Sequence, residues 1–100
     1  MPKMKITVLK REFYQDLADE YCQPDTSLCQ VFADGQEFVI DDGKKPENFC
    51  SWAWNDIHKC YLTLRQNGNF VPWMKKDNVI IACCTDGIRP VVFKIERLTD

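Results

Sequence analysis

The sequence predicts one small α+β domain spanning residues 1–100, with helices on one face of a mainly antiparallel sheet. Three observations lead there. Patterns of period two and of period near 3.6 alternate along the chain in the order β-α-β-α-β-β. A helical apolar stripe runs from Cys50 to Leu64. Near the C-terminus Asp86-Gly87, a preferred pair for a two-residue hairpin turn, separates two apolar runs.

The first strand is expected over residues 4–12, where Ile6 and Val8 share one face and Lys5, Thr7, Leu9 and Arg11 the other. At residues 13–21 the period changes. Phe13, Leu17 and Tyr21 recur every four residues, as on a short amphipathic helix that Pro24 brings to an end. Residues 23–35 read as loop, closed by the turn residues Ala33-Asp34-Gly35. Gln36 to Ile40 forms a second strand with Phe38 and Ile40 on one face, followed by the polar loop Asp41 to Pro46.

The main helix is predicted over 50–66. Asn48 or Ser51 is its candidate cap, and Trp54, Ile57, Tyr61 and Leu64 form its stripe, with Ala53 and Cys60 beside them. Gly68 is the expected C-terminal cap. Phe70 to Met74 is an apolar loop. The continuous apolar run Val79 to Cys84 suits a strand buried on both faces. The hairpin, about 79–84 and 90–98, returns with Val91, Phe93 and Ile95 inward and Lys94 and Glu96 outward. Pro90 lacks an N–H, so its side of the hairpin should be an edge or a bulge.

A two-residue turn at Asp86-Gly87 would set Cys84 opposite Arg89 and Cys83 opposite Pro90. Opposed residues point to the same face. Cys83 and Cys84 then lie on opposite faces, and Cys84 sits beside a guanidinium, which favours a thiolate. Cys84 with Arg89 is therefore the reactive-thiol candidate. Core packing is the simpler role for any single cysteine, because a free thiol behaves as a small hydrophobe.

Composition narrows the function classes. Thirteen Lys+Arg against fifteen Asp+Glu give a net charge of -2. With no basic excess, nucleic acid is not an expected partner. No apolar run reaches the roughly 18–20 residues of a membrane span, and MPKMKITVLKRE has no apolar stretch of signal-peptide length. The expected location is cytoplasmic. Six cysteines in a reducing compartment direct attention to metal binding, redox chemistry or packing rather than disulfides.

There is no C-x-x-C. Cys22 and Cys29 fit no common zinc spacing, and Cys50 and Cys60 lie about 15 Å apart along a helix axis. Cys29, Cys50 and Cys84, placed at a loop, a helix start and a strand end, are the three free to converge on zinc, iron or an iron–sulfur cluster. His58, the one histidine, sits at the margin of the buried stripe. Trp52, Phe70 and Trp73 are the aromatics most free to face a ligand, a second copy of the chain or a protein partner. No phosphate loop, hydrolase triad or acid–base pair is visible, so a stand-alone enzyme has the least support.

Phe49-Cys50-Ser51-Trp52-Ala53-Trp54-Asn55-Asp56-Ile57 and the run from Ala82-Cys83-Cys84-Thr85-Asp86-Gly87 through Ile88-Arg89-Pro90-Val91-Val92-Phe93-Lys94-Ile95-Glu96-Arg97 resemble a family of small prokaryotic proteins common in anaerobes. Lys5 to Arg11 and Gly35 to Phe38 resemble its opening segments. The resemblance implies a single-domain cytoplasmic protein of about this length and supplies no reaction. An anaerobic setting favours oxygen-sensitive thiol or iron–sulfur chemistry. Two function classes follow: a cysteine-based metal, cluster or reactive-thiol module centred on Cys84, Cys50 and Cys29, and a non-enzymatic binding or interaction module anchored by Trp52, Phe70 and Trp73.

Overall fold

Alternation along two central strands decides which side of the sheet is covered. In the computed structural model, which describes residues 2–98, the elements are β1 (Met4–Arg11), α1 (Gln15–Tyr21), β2 (Glu37–Ile40), α2 (Ser51–Arg65), β3 (Val79–Cys83) and β4 (Val91–Arg97). The strands form one antiparallel sheet in the order β2-β1-β4-β3. Met4, Ile6 and Val8 from β1 and Val91, Phe93 and Ile95 from β4 are buried on one face, with Ile40 and Ile80 from the flanking strands. Ala53, Ile57, Tyr61 and Leu64 of α2 cover that face. Phe32 and Phe49 close one corner of the core, with ring centroids 5.1 and 5.5 Å from Phe93. Burial pushes the Tyr61 phenol up, helped by the Asp42 charge and opposed by Arg65. The other face carries an ionic ladder in which Lys5 lies 3.4 Å from Glu37 and Lys94 lies 3.4 Å from Glu96.

Five sequence expectations need correction. The hairpin register differs by two residues: Cys83 pairs with Val92 and Ala82 with Phe93. A type I′ turn requires positive φ at both central positions, and neither Asp86 nor Gly87 adopts it. The Asp86 carboxylate instead accepts the N–H groups of Ile88 and Arg89, both at 2.8 Å, and so organises a longer connection. A two-residue slip preserves parity, so the predicted faces survive although the partners change. Pro90 lies in this connection, just ahead of the central strand β4, rather than on an edge.

The second correction is the environment of β3. It is an edge strand, buried at Ile80 and exposed at Ile81 and Cys83, because nothing covers the outer face of the sheet there among the described residues. The third is α1. Its predicted stripe does not pack: only Ala18 is buried, while Leu17 stays exposed and Tyr21 is 78% exposed.

The fourth concerns Arg11. β1 bulges at Leu9, where pairing with β4 passes from Val8↔Phe93 to Lys10↔Val92. An inserted residue exchanges the faces beyond it. Arg11, expected on the outer face, pairs with Val91 and joins the core side.

The fifth concerns the ends of α2. Cys50 occupies the N-cap position that Asn48 or Ser51 was expected to take, and it makes no side-chain capping bond. At the other end Asn67 takes the left-handed conformation, with φ 64°, and the Gly68 N–H donates to the Thr63 carbonyl at 2.8 Å. That is a Schellman closure with glycine one position later than the left-handed residue. Glycine is still required, because a Cβ at position 68 would lie 2.8 Å from the Thr63 carbonyl oxygen.

Candidate functional site

A cleft of about 790 Å³ opens between the loop 25–32, the first turn of α2 and the connection from β3 to β4. Cys29, Cys50 and Cys84 all line it, one from each of these segments, together with Trp52 and Arg89. The three thiols are free and partly buried, and each packs against the edge of the core.

Each cysteine is positioned by backbone that the sequence around it dictates. The Cys29 segment is fastened by Arg11, whose Nη1 donates to the carbonyls of Cys29 at 2.9 Å and Phe32 at 3.1 Å, while its Nε pairs with Asp34 at 2.9 Å. The bulge at Leu9 is what turns this guanidinium toward the loop. Cys50, as the residue before α2, has extended backbone, with φ −61° and ψ 126°, and its carbonyl begins the helix by accepting the Trp54 N–H. Cys84 lies just past β3. Its N–H donates to the Val91 carbonyl at 3.1 Å, and its Sγ accepts the Val91 N–H at 3.3 Å.

The connection itself is held at two points. Asp56 Oδ2 accepts both the Thr85 N–H at 2.8 Å and the Thr85 hydroxyl at 2.9 Å, and the Trp52 indole N–H donates to Thr85 Oγ1 at 2.9 Å. Trp52 thus stands at the cleft, 68% exposed as a residue, with its polar edge tied down. Asp86 fixes Arg89 through its Nε at 3.2 Å. Burial works against the Asp86 charge, but the Arg89 and Ile88 N–H groups and the Arg89 guanidinium outweigh it and hold the carboxyl below the usual carboxylate range. Arg89 therefore sits next to a carboxylate and near the cleft, not directly opposite Cys84 as the two-residue turn required.

Cys83 faces away from this site, exposed on the outer face of β3. Partial burial, the adjoining Cys84 and the Asp56 charge push its thiol up. Among the described residues, no group of three His, Cys, Asp or Glu side chains is arranged to hold a metal ion. Cys29, Cys50 and Cys84 share a cleft without forming such a group.

The three aromatic candidates divide between two places. Trp52 belongs to the cleft. Phe70 and Trp73 pack edge to face, with centroids 6.5 Å apart, in the loop that follows α2, with Trp73 72% exposed. His58 lies against Trp54 and Tyr61, with ring centroids 5.3 and 6.0 Å away, along the helix and away from the cleft.

Sequence reasoning missed Arg11, Asp56 and Thr85, the residues that shape the cleft. Asp56 and Thr85 fall within the two motif segments, which is the one signal that could have joined them. Arg11 depends on the bulge and had no signal of its own. No family model, no curated protein and no solved structure matches the chain.

Proposed function

We propose that the protein is a small thiol module whose cleft receives a ligand beside Cys84, with Cys29 and Cys50 as the neighbouring thiols. The observation that carries this reading is convergence: three cysteines, from a loop, a helix cap and a strand end, line one cleft that also contains Arg89. A thiol packed for volume alone needs no such opening. The nucleophile is the thiolate, and a thiolate needs access and electropositive surroundings. Cys84 has both a cleft-lining position and a backbone N–H aimed at its sulfur.

Alkylation with a neutral reagent, followed by peptide mass mapping, tests the reading. Cys84 is expected to label ahead of Cys83, although Cys83 is the more exposed of the two. Labelling of Cys83 with Cys84 inert would overturn it.

A second reading is favoured by one observation. Trp73 is exposed outside the cleft, edge to face on Phe70, which is itself half-buried against the core, and an exposed tryptophan of this kind anchors protein contacts. On that reading the loop after α2 docks a protein or a second copy of the chain. Trp73→Ala, followed by sedimentation and pull-down, tests it, and an unchanged partner profile would remove it.

A further inference from the structure

Arg89 and the Cys84 thiol, in a cleft whose other charged lining residues are Asp25 and Asp86, together point to a substrate class, on the basis of the thiol reading above. We infer that the cleft takes small disulfides bearing a carboxylate, and that Cys84 exchanges with them while Arg89 holds the carboxylate. Arg89 is held by one side only: its Nε is engaged by Asp86, and among the described residues its two Nη atoms donate no hydrogen bond. A guanidinium fixed through Nε presents its remaining N–H groups as a preset fork, which matches a carboxylate. Asp86 and Arg89 form a neutral pair, so the added anion meets a cation whose orientation is already set. The same cleft carries Cys84, and the Trp52 ring stands at its wall as a flat apolar surface.

The step balances. The Cys84 thiolate attacks one sulfur of R–S–S–R. A bond forms between Cys84 Sγ and that sulfur, the ligand S–S bond breaks, and its electron pair leaves on the departing thiolate R–S⁻, which takes up the proton that Cys84 released. The oxidant is the small disulfide itself, so no other co-reactant is needed.

Dithiodiglycolate, which carries two carboxylates, and cystamine, which carries two ammonium groups, share the S–S bond and differ in charge. The full chain is incubated with each near neutral pH, and the mixed disulfide is followed by intact mass and located by peptide mapping. Intrinsic reagent reactivity is removed by normalising to a small free thiol. The expected result is Cys84 modification by the carboxylate reagent with a normalised rate about three- to fivefold above cystamine, as suits a half-exposed charge. Arg89→Gln should abolish that preference, and Arg89→Lys should retain part of it. Far-UV circular dichroism confirms that both variants are folded.

Equal normalised rates in the wild type, a preference that survives Arg89→Gln, or adducts confined to cysteines other than Cys84 would each overturn the inference. Neutral iodoacetamide separates the two levels. Cys84 labelling without charge preference removes the substrate class alone. Cys84 inert to iodoacetamide and to both disulfides removes the thiol reading as well.

Discussion

The two ends of α2 are finished in opposite ways. At the C-terminal end the orphan carbonyls are closed. Gly68 and Asn67 complete a Schellman turn, and Arg97 donates through Nη1 to the carbonyls of Leu64 and Gly68, both at 2.8 Å, and through Nη2 to Asp77 at 3.0 Å. At the N-terminal end Cys50 caps with backbone alone, and the space ahead of the helix is the cleft. Arg97 and Arg11 both reach out from the core side of the sheet, Arg97 to the carbonyls that end α2 and Arg11 to those of the cleft wall. One end is therefore built for stability. At the other, Cys50 makes no side-chain capping bond, and Cys84 Sγ accepts the Val91 N–H at the cleft.

Substitutions at the two ends should separate these roles. Leu64→Ala, which empties a fully buried position beside the closed end, is expected to cost about 2–5 kcal/mol in denaturant unfolding. Trp52→Ala, at the open end, should cost no more than about 1 kcal/mol while altering thiol labelling, since its ring is largely exposed. Comparable losses at the two sites would erase the contrast.

Arg97→Met keeps the aliphatic stem and removes three charge-assisted bonds, so a loss of about 1.5–3 kcal/mol is expected. Arg11→Met should lower global stability less and instead release residues 29–32, visible as faster amide hydrogen exchange there. Equal global effects with unchanged exchange would show that the cleft wall is held by something other than Arg11.

Gly68→Ala probes the closed end by geometry alone. The added Cβ meets Thr63 at 2.8 Å, so the turn must shift, at about 1 kcal/mol or somewhat more. A neutral result by thermal melting would mean that the Schellman turn yields without cost.

The smallest effect belongs to the open end and depends on pH. The fold lowers the Asp86 carboxyl below its ordinary value of 3.8. Its contribution is complete above the ordinary carboxylate range and is lost as pH falls through the depressed value. The stability gap between wild type and Asp86→Asn should therefore be full near neutrality and close as the solution is acidified below about pH 4. A gap that stays constant to strongly acid pH would remove the carboxylate from its role in the connection.

Much of this architecture could be read from residue pattern. The alternation of Met4, Ile6 and Val8 and of Val91, Phe93 and Ile95 specified the covered face, and the stripe Ile57, Tyr61, Leu64 specified what covers it. Convergence of Cys29, Cys50 and Cys84 was legible as a spatial freedom, because they lie at a loop, a helix start and a strand end. The hairpin register was not. Asp-Gly is a strong local signal for a two-residue turn, yet the Asp86 carboxylate can equally capture two backbone N–H groups, and pairing of Ala82 with Phe93 decided between them. The exposed stripe of α1 was misjudged because periodicity reports amphipathicity and says nothing of whether a neighbour exists to be covered.

The bulge at Leu9 has a consequence for how this chain tolerates change in length. The position of Cys29 and Phe32 is measured from β1, through Arg11, and not along the loop that contains them. Residues can therefore be added or removed between Tyr21 and Asp25, ahead of the lining segment, with Cys29 and Phe32 still held at their station, since longer loops cost little closure entropy. Counting along β1 has no such latitude. One residue gained or lost between Val8 and Arg11 would carry the guanidinium through the sheet to the side of Lys5 and Glu96, and the wall would lose its mooring while the core beneath stayed intact.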